Sequence, residues 1–398
     1  MKSLLKAVVK CFVMLSVVCL VSSVSFAGAG NESADFLNLG VGARAVAMGG
    51  AFTGLANDVS AGYWNPSGLV QLDGSQLITM YDSLPEGMSH VYVGYGKKLA
   101  GPGALGLQIN YMTSGDIMGV DETGQETVSF NVYSMAIGFT YAGVINEGMS
   151  YGINVKNISE NIAGTSGAGF GADAGILYKS SDKMKLGLAL QNLGTGVTYE
   201  GDTEASPLPM VVRAGVSYLA MQDAEKNVVL CADVSKISSD AGVGISAGGE
   251  YHVGALAFRL GVLSTTDALV PSFGVGLGGG NILFDIGAGQ NPNLGSTFKV
   301  SLIGKFGATG QSIAPVRKSS GKASSAKPKA AAPATALEKQ LQQAIDQGDF
   351  EKADELNKKI EAQKAEKASL EKQIQKAVDD GDFEKADELN GRLEQLKK

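Results

Sequence analysis

Large apolar side chains alternate with small or polar ones along most of the chain between residues 75 and 306. In the segment 133–141 the large positions are Tyr133, Met135, Ile137, Phe139 and Tyr141. The segment 296–306 alternates in the same way through Phe298, Val300 and Leu302, and it ends on Phe306. Because successive side chains of a strand point to opposite faces, each segment predicts a strand with one lipophilic face and one small or polar face.

About fourteen such strands can be placed, most of them about 8 to 11 residues long, which is the length that a tilted strand needs to cross a bilayer. They are expected to begin near Ser75, His90, Gly103, Ser129, Met149, Phe170, Met184, Pro209, Asn227, Gly244, Leu256, Pro271, Ile282 and Ser296. An even number of strands closes a barrel with its first and last strand ends on one side. The pattern predicts an all-β transmembrane barrel of antiparallel strands over residues 74–306. A soluble exported β domain would also alternate, and it stays open as an alternative.

The connections between these strands differ in length according to their order. Connections after even-numbered strands are short, as at 100–102 and 254–255, whereas those after odd-numbered strands are mostly longer, as at 113–127, 159–169 and 194–208. Short periplasmic turns and longer outside loops are typical of outer-membrane barrels. Tyrosines close to the strand ends could form the interfacial girdles of such a barrel: Tyr81, Tyr95, Tyr111, Tyr141, Tyr178, Tyr218 and Tyr251.

The N-terminus has the pattern of an export signal. Three lysines precede an apolar run over residues 11–24, which is shorter than the roughly 20 residues of a membrane-spanning helix. Ser25, Phe26 and Ala27 then offer small residues where a signal peptidase cuts, so residues 1–27 are predicted to be a cleaved signal peptide. A lipoprotein signal is the weaker alternative, because Val18 before Cys19 is not small.

The composition offers little for catalysis or metal binding. After the predicted cleavage Cys231 is the only cysteine, and His90 and His252 are the only histidines. No disulfide framework, metal site or cofactor is expected, and the net charge of -7 argues against a nucleic-acid partner. Two catalytic motifs are set aside: the G-x-S-x-G around Ser246 lies in an alternating strand, and no helix follows the glycine-rich segment 274–279. The chain is therefore expected not to be an enzyme.

The alternation also predicts which charged side chains point into the barrel. These are Arg213, Glu250, His252, Arg259, Asp285 and Lys299. Buried charges need partners or water, so we expect them to pair across the lumen, to hold an inserted segment or to line a wet pathway.

Residues 36–72 carry a specific motif. Its elements are G-V-G-A-R-A-V-A-M-G-G-A at 40–51, Asn57-Asp58, and Y-W-N-P-S-G-L at 63–69. The segment closely resembles the N-terminal signature of the PorV/PorQ family of outer-membrane proteins, which are relatives of the long-chain fatty-acid transporter family. The resemblance implies a fourteen-stranded barrel whose N-terminal stretch folds into the lumen as a hatch, here residues 28–73. Candidate hatch and luminal residues are Arg44, Asn57, Asp58, Trp64, Asn65, Pro66, Arg213 and Arg259.

The C-terminal part has a different composition. Residues 307–335 form a Ser/Ala/Pro/Lys-rich stretch with no acidic residue, which predicts a disordered basic linker. A segment starting at Leu337 recurs at Leu370, 33 residues later, so residues 336–398 are predicted to form two helical hairpins.

The repeat core D-F-E-K-A-D-E-L-N is similar to the UVR motif, a helical hairpin that mediates protein contacts. Asn357 and Asn390 stand where that motif usually has arginine. Candidate partner-binding residues are Phe350, Leu356, Phe383 and Leu389. Pairing of the two hairpins with each other, as a small four-helix unit, is the equal alternative.

Together these features predict a Gram-negative outer-membrane barrel of the PorV/PorQ type. We expect it to pass or hand over a hydrophobic or secreted substrate, with outer-membrane lipid and the barrel-assembly machinery as partners. Its helical tail would contact a periplasmic protein through residues 337–398. The alternative is a non-conducting structural or type IX secretion accessory barrel that acts by docking partners.

Overall fold

The structure is a computed structural model of the 398-residue chain. It describes residues 32–121, 123–223, 226–240, 242–265, 268–292 and 295–307, and separate positions between 349 and 392. The chain divides into two compact units, 1–318 and 319–398. Among the described residues no helix is long and apolar enough to cross a membrane.

The first unit is a closed barrel of fourteen antiparallel strands in which every strand pairs with its neighbours in the sequence. The ring closes where β1 pairs with β14, from Ser75 opposite Phe306 to Ser83 opposite Phe298. The strands are β1 (Ser75–Ser83), β2 (Ser89–Lys98), β3 (Gly103–Ile117), β4 (Phe130–Asn146), β5 (Met149–Ile162), β6 (Thr165–Lys179), β7 (Met184–Tyr199), β8 (Val211–Gln222), β9 (Lys226–Ile237), β10 (Gly244–Val253), β11 (Leu256–Ser264), β12 (Leu269–Gly279), β13 (Ile282–Asn291) and β14 (Gly295–Phe306). The predicted strand number is confirmed.

The two faces of the wall differ as the alternation predicts. In β14, Phe298 is 58% exposed and Leu302 46%, whereas Lys299 and Ser301 between them are 4% and 2% exposed. An apolar outer face and a polar inner face are the arrangement of a barrel surrounded by lipid.

The barrel has a turn end, where the even-numbered strands connect, and a loop end, where the odd-numbered strands connect. β1 starts and β14 stops at the turn end. The longest connections, 118–129 and 200–210, lie at the loop end. One expected loop is wrong: residues 159–169 are mostly strand, because Ala163 and Gly164 both have positive φ (51° and 93°) and close a two-residue hairpin.

The strands around that hairpin are longer than predicted. β3 has 15 residues and ends at Ile117, and β7 has 16 residues and ends at Tyr199, so part of the expected loops 113–127 and 194–208 also belongs to the wall. The cause is continued ladder pairing through polar residues, which the lipophilic alternation does not mark; Asn161, for example, pairs with both Tyr133 and Ser166.

In the second unit the described residues from 352 to 392 that carry a regular conformation are helical. Asp349 and Asp382 accept hydrogen bonds from the backbone N–H three residues later, at 3.2 Å each, which is the geometry of an N-cap. Leu370 and Leu389 are buried in one small cluster. Leu356 is also buried, whereas Phe350 and Phe383 lie outside the described residues. Residues 1–27 and all of 308–335 lie outside them as well.

Candidate functional site

The lumen is filled by the N-terminal segment, residues 32–73, which we call the plug. Its start lies at the loop end, where the N–H of Ser33 donates to the Pro207 carbonyl at 3.0 Å. Its last turn, Pro66–Gln71, leads into β1 at the turn end. The plug therefore runs from the loop end to the turn end of the lumen.

Arg44, in the short helix Ala43–Ala47, is the centre of the plug's polar contacts. Its guanidinium donates to both carboxylate oxygens of Glu250 at 2.8 Å, to Asn57 Oδ1 at 2.8 Å and to Asp58 Oδ2 at 2.9 Å. Asp58 Oδ1 in turn accepts from the Ser60 N–H and hydroxyl at 2.9 and 2.5 Å. Three predicted hatch residues, Arg44, Asn57 and Asp58, thus meet in one cluster. Bidentate pairs of this kind are among the stronger hydrogen bonds of proteins.

The wall side of this cluster is a chain of buried charges. Arg259 donates to Glu250 at 2.6 Å and to Asp285 at 2.7 Å, and His252 Nε2 lies 3.0 Å from Glu250. Four inward residues of three strands therefore form one network with Arg44. We call the five residues Arg44, Glu250, His252, Arg259 and Asp285 the ionic latch.

Trp64 and Arg213 form a second contact between plug and wall. The Trp64 indole N–H donates to the Val41 carbonyl at 3.0 Å, and its ring packs against Tyr63 and Phe52 of the plug. The Arg213 guanidinium lies 5.3 Å from the centre of the ring, a distance typical of a cation–π contact. Trp64 therefore anchors the plug internally and meets one wall cation.

Asn65 and Pro66 fix the part of the plug that is nearer the turn end. Asn65 donates to the carbonyls of Thr53 and Ile176 at 3.0 and 3.2 Å and accepts from the Ser67 hydroxyl at 2.6 Å. Pro66 lies against Gly152, where an added Cβ would be 2.3 Å from the Pro66 carbonyl carbon. These side chains pack the plug and leave no free donor toward a solute.

Inward glycines of the wall touch the plug backbone. An added Cβ would lie 2.1 Å from the Thr53 carbonyl oxygen at Gly187, 2.1 Å from the Gly49 nitrogen at Gly261, and 2.3 Å from the Met48 carbonyl oxygen at Gly248. Real Cβ atoms do not approach other atoms so closely, so only glycine permits this contact. The wall and plug meet backbone to backbone at these positions.

Polar wall side chains satisfy backbone groups of the plug between these glycines. Asp233 accepts from the N–H groups of Phe52 and Thr53 at 3.0 and 2.8 Å. Other inward side chains that bond the plug backbone include Gln76, Ser150, Ser217, Ser272 and Ser301. From the sequence it could not be predicted which of the polar inward residues contact the plug.

A second apolar cluster lies in the lumen at the loop end. The wall contributes Ala136, Ile158 and Val197, and the plug contributes Phe36 and Leu37; Ala34 and Leu208 complete it. We call the cluster and the adjoining Glu160 the loop-end pocket. The Glu160 carboxylate accepts from the Ala34 N–H at 3.2 Å, the Ser134 hydroxyl at 2.6 Å and the Tyr199 hydroxyl at 2.7 Å. Glu160 is not among the residues predicted from the sequence, although it lies on the same strand face as the inward-pointing Ile158.

The wall is interrupted beside this pocket. β7 pairs with β8 only up to Gln191 opposite Val211, and its next residue, Asn192, has a φ of 60°. Beyond it the gap is closed by the irregular segment 206–210, held by the Val197–Ser206 bridge and by Asn192 Nδ2 donating to the Pro209 carbonyl at 2.7 Å. We call this segment the β7–β8 closure.

A further cluster of titratable side chains, Asp82, His90 and Lys299, is buried in the barrel. Lys299 pairs with Asp82, and His90 Nε2 lies 2.5 Å from Asn110 Oδ1. Within the part of the chain that the structure describes, no group of three or more His, Cys, Asp or Glu side chains is arranged to hold a metal ion.

No protein-family model matches the sequence, and no curated protein matches it. Among solved structures the chain is similar to the CymD monoaromatic hydrocarbon channel, with 15% identity over 67% of this chain and 98% of that one and a TM-score of 0.50. It is also similar to a Pseudomonas aeruginosa FadL homologue, with 13% identity over 66% and 97% of the two chains and a TM-score of 0.44. At 15% identity the CymD likeness shows a shared fold, in agreement with the closed β-barrel described above.

Proposed function

We propose that this protein is an outer-membrane barrel of the PorV/PorQ type that passes a hydrophobic solute, or hands over a substrate, through the side of its wall. It acts without catalysis. The loop end faces the outside, as longer loops do in such barrels. The observation that carries the proposal is the β7–β8 closure, an irregular segment of the wall that borders the apolar loop-end pocket through Leu208.

The plug supports a lateral route over an axial one. Its backbone touches the wall at several glycines, and the ionic latch holds it with charge-assisted hydrogen bonds. Opening the lumen along its axis would break all these contacts together. Opening at the β7–β8 closure breaks only the bridge at Val197 and the few bonds of segment 206–210.

The same close fit favours a second candidate, a non-conducting secretion accessory barrel that docks secreted cargo and other partners. We propose for either candidate that residues 337–398 contact a periplasmic protein. The support is that the linker follows Phe306, which ends β14 at the turn end. The PorV/PorQ assignment rests on the motif at 40–69.

A reversible lock on the β7–β8 closure tests the route. Val197 and Ser206 exchange two backbone hydrogen bonds, at 2.8 and 2.9 Å, a spacing that a disulfide between Val197→Cys and Ser206→Cys can bridge. Uptake of a hydrophobic probe by reconstituted vesicles is compared in the oxidised and reduced states, with protein-free vesicles as the baseline. We expect oxidation to stop protein-dependent uptake and reduction to restore it.

The matched control is a disulfide between Leu263→Cys and Val270→Cys, partners in the regular β11–β12 ladder, which should leave uptake unchanged. Equal uptake in the locked and reduced proteins would rule out the lateral route. If neither the native protein nor one lacking residues 40–69 moves any probe, transport fails and the accessory barrel stands.

A further inference from the structure

The loop-end pocket has a property that goes beyond its apolar lining: it contains a buried acidic side chain, Glu160. Glu160 is 7% exposed, and all of its partners are neutral hydrogen-bond donors. Lys156, two inward positions away on β5, is paired with Asp173 at 2.8 Å. Among the described residues no cation forms an ion pair with Glu160.

The approach to the pocket is also negative. The described residues of the loop-end connections include acidic side chains and no Lys, Arg or His; the acidic ones are Glu86, Asp121, Glu126, Glu200, Asp202, Glu204 and Asp240. Partial burial and the charges of Glu32, Glu160 and Asp240 raise the pKa of Asp35 in the first turn of the plug. Lys236 of β9, which donates to the carbonyls of Asp240 and Gly242, offsets part of this charge. A predominantly negative entrance still attracts solutes of opposite charge and repels those of like charge.

The plug residues in the pocket occupy it as a ligand would. Phe36 and Leu37 are 2% and 4% exposed and fill the apolar part, while the N–H of Ala34 donates to Glu160. The plug segment around Phe36 and Leu37 contains no residue of the ionic latch. It is held by Ser33 at the Ser206 and Pro207 carbonyls and by the Tyr63 hydroxyl at the Leu37 carbonyl.

We infer that the loop-end pocket takes apolar molecules whose head group is a neutral hydrogen-bond donor or a cation, and that Glu160 rejects a carboxylate head. The inference deepens the proposed function and rests on it. A solute displaces Phe36 and Leu37 from the apolar lining, and its head replaces the Ala34 N–H at Glu160. A carboxylate there would face a like charge without a cation, whereas a hydroxyl or ammonium group donates directly.

Three probes with the same chain separate these cases: 1-dodecanol, dodecylamine and dodecanoate at about pH 8, where a carboxylate is ionised. Backbone hydrogen exchange of residues 33–38 in the full-length protein in nanodiscs reports displacement. Empty nanodiscs correct for the amount of probe dissolved in lipid. We expect the alcohol and the amine to raise exchange at concentrations on the order of tenfold to a hundredfold below those needed for dodecanoate.

Glu160→Gln keeps the shape and an acceptor oxygen, and should reduce the difference between dodecanol and dodecanoate to less than about threefold. Glu147→Gln removes the same charge from an exposed site at the turn end and should leave the difference unchanged. The heat-dependent gel shift of a folded barrel confirms that each variant is folded.

The inference is overturned if dodecanoate acts as well as dodecanol on the native protein, or if Glu160→Gln leaves their difference intact. It is overturned too if no probe affects residues 33–38 although uptake responds to the Val197–Ser206 lock, and in that case the proposed function survives. Absence of protein-dependent probe uptake in both the oxidised and the reduced protein refutes the proposed transport itself.

Discussion

Replacing Arg44 by methionine should loosen the plug while leaving the wall intact. Arg44 is the only plug residue in the ionic latch, and its side chain is 14% exposed against 1% for Glu250. Methionine keeps much of the aliphatic volume but removes all four hydrogen bonds that the guanidinium makes. The change therefore tests whether the latch holds the plug or merely accompanies its packing.

The expected destabilisation depends on the partners that Glu250 and Asp58 keep after the substitution. Breaking a buried ion pair by removing one partner costs about 3–5 kcal/mol, because a buried charge is left uncompensated. Here Glu250 keeps Arg259 at 2.6 Å and His252 at 3.0 Å, and Asp58 keeps Ser60. We therefore expect a loss near the lower limit, about 3 kcal/mol.

Two readouts separate plug from wall in urea titrations of the reconstituted protein. Trp64 is the only tryptophan and lies in the plug, 6.3 Å from Phe52, so its fluorescence reports the plug. The heat-dependent gel shift reports the barrel. The Trp64 transition of Arg44→Met should move to lower urea, and the gel shift should change much less.

Lys179→Met is the control, since its ion pair with Asp182 is 50% and 95% exposed and is worth at most about 1 kcal/mol. A loss below about 1 kcal/mol for Arg44→Met, or one equal to that of the control, would refute the role of the latch.

Three other outcomes are expected. Gly261→Ala should destabilise the plug by about 1–3 kcal/mol in the Trp64 assay, whereas Gly278→Ala, whose Cβ would meet nothing nearer than 3.5 Å, should not; equal midpoints would contradict the backbone contact. Ile286→Lys, on the outer face and 47% exposed, should cost about 2–4 kcal/mol in vesicles, and a smaller effect than at an exposed loop position would argue against lipid on that face. Because the pKa of Asp35 is raised, protonation favours the folded segment, and this stabilisation is complete below the ordinary pKa of 3.8 and is lost as the pH rises through the raised value. Hydrogen exchange of residues 33–38, corrected for intrinsic rates, should therefore be slower at about pH 4 than at about pH 7, and Asp35→Asn should remove that difference.

The sequence predicted the wall well because a barrel strand repeats one simple rule. Lipid outside and polar groups inside make every second residue informative, so the strand number and the inward positions of Glu250, Arg259 and Asp285 followed from parity. The rule fails where strands rise beyond the apolar band, since polar residues there pair as readily as they form loops. That is why the hairpin at Ala163–Gly164 was expected to be a loop.

The site was only partly predictable. The motif pointed to Arg44, Asn57 and Asp58, but the sequence could not say that they converge on Glu250, which is 192 or more positions away from each of them. Asp233 and Glu160 are single acidic residues in otherwise ordinary strands. Their roles depend on which part of the plug lies opposite, and that is set by a three-dimensional fit that no local pattern records.

The contact between the wall glycines and the plug backbone dictates an order of assembly. A finished ring offers no clearance through which a folded segment could be threaded past Gly187, Gly248 and Gly261. The plug, residues 32–73, must therefore be in place before β1 and β14 pair and close the barrel. The barrel thus assembles around its own plug. A plug supplied later as a separate peptide should not insert into the closed barrel.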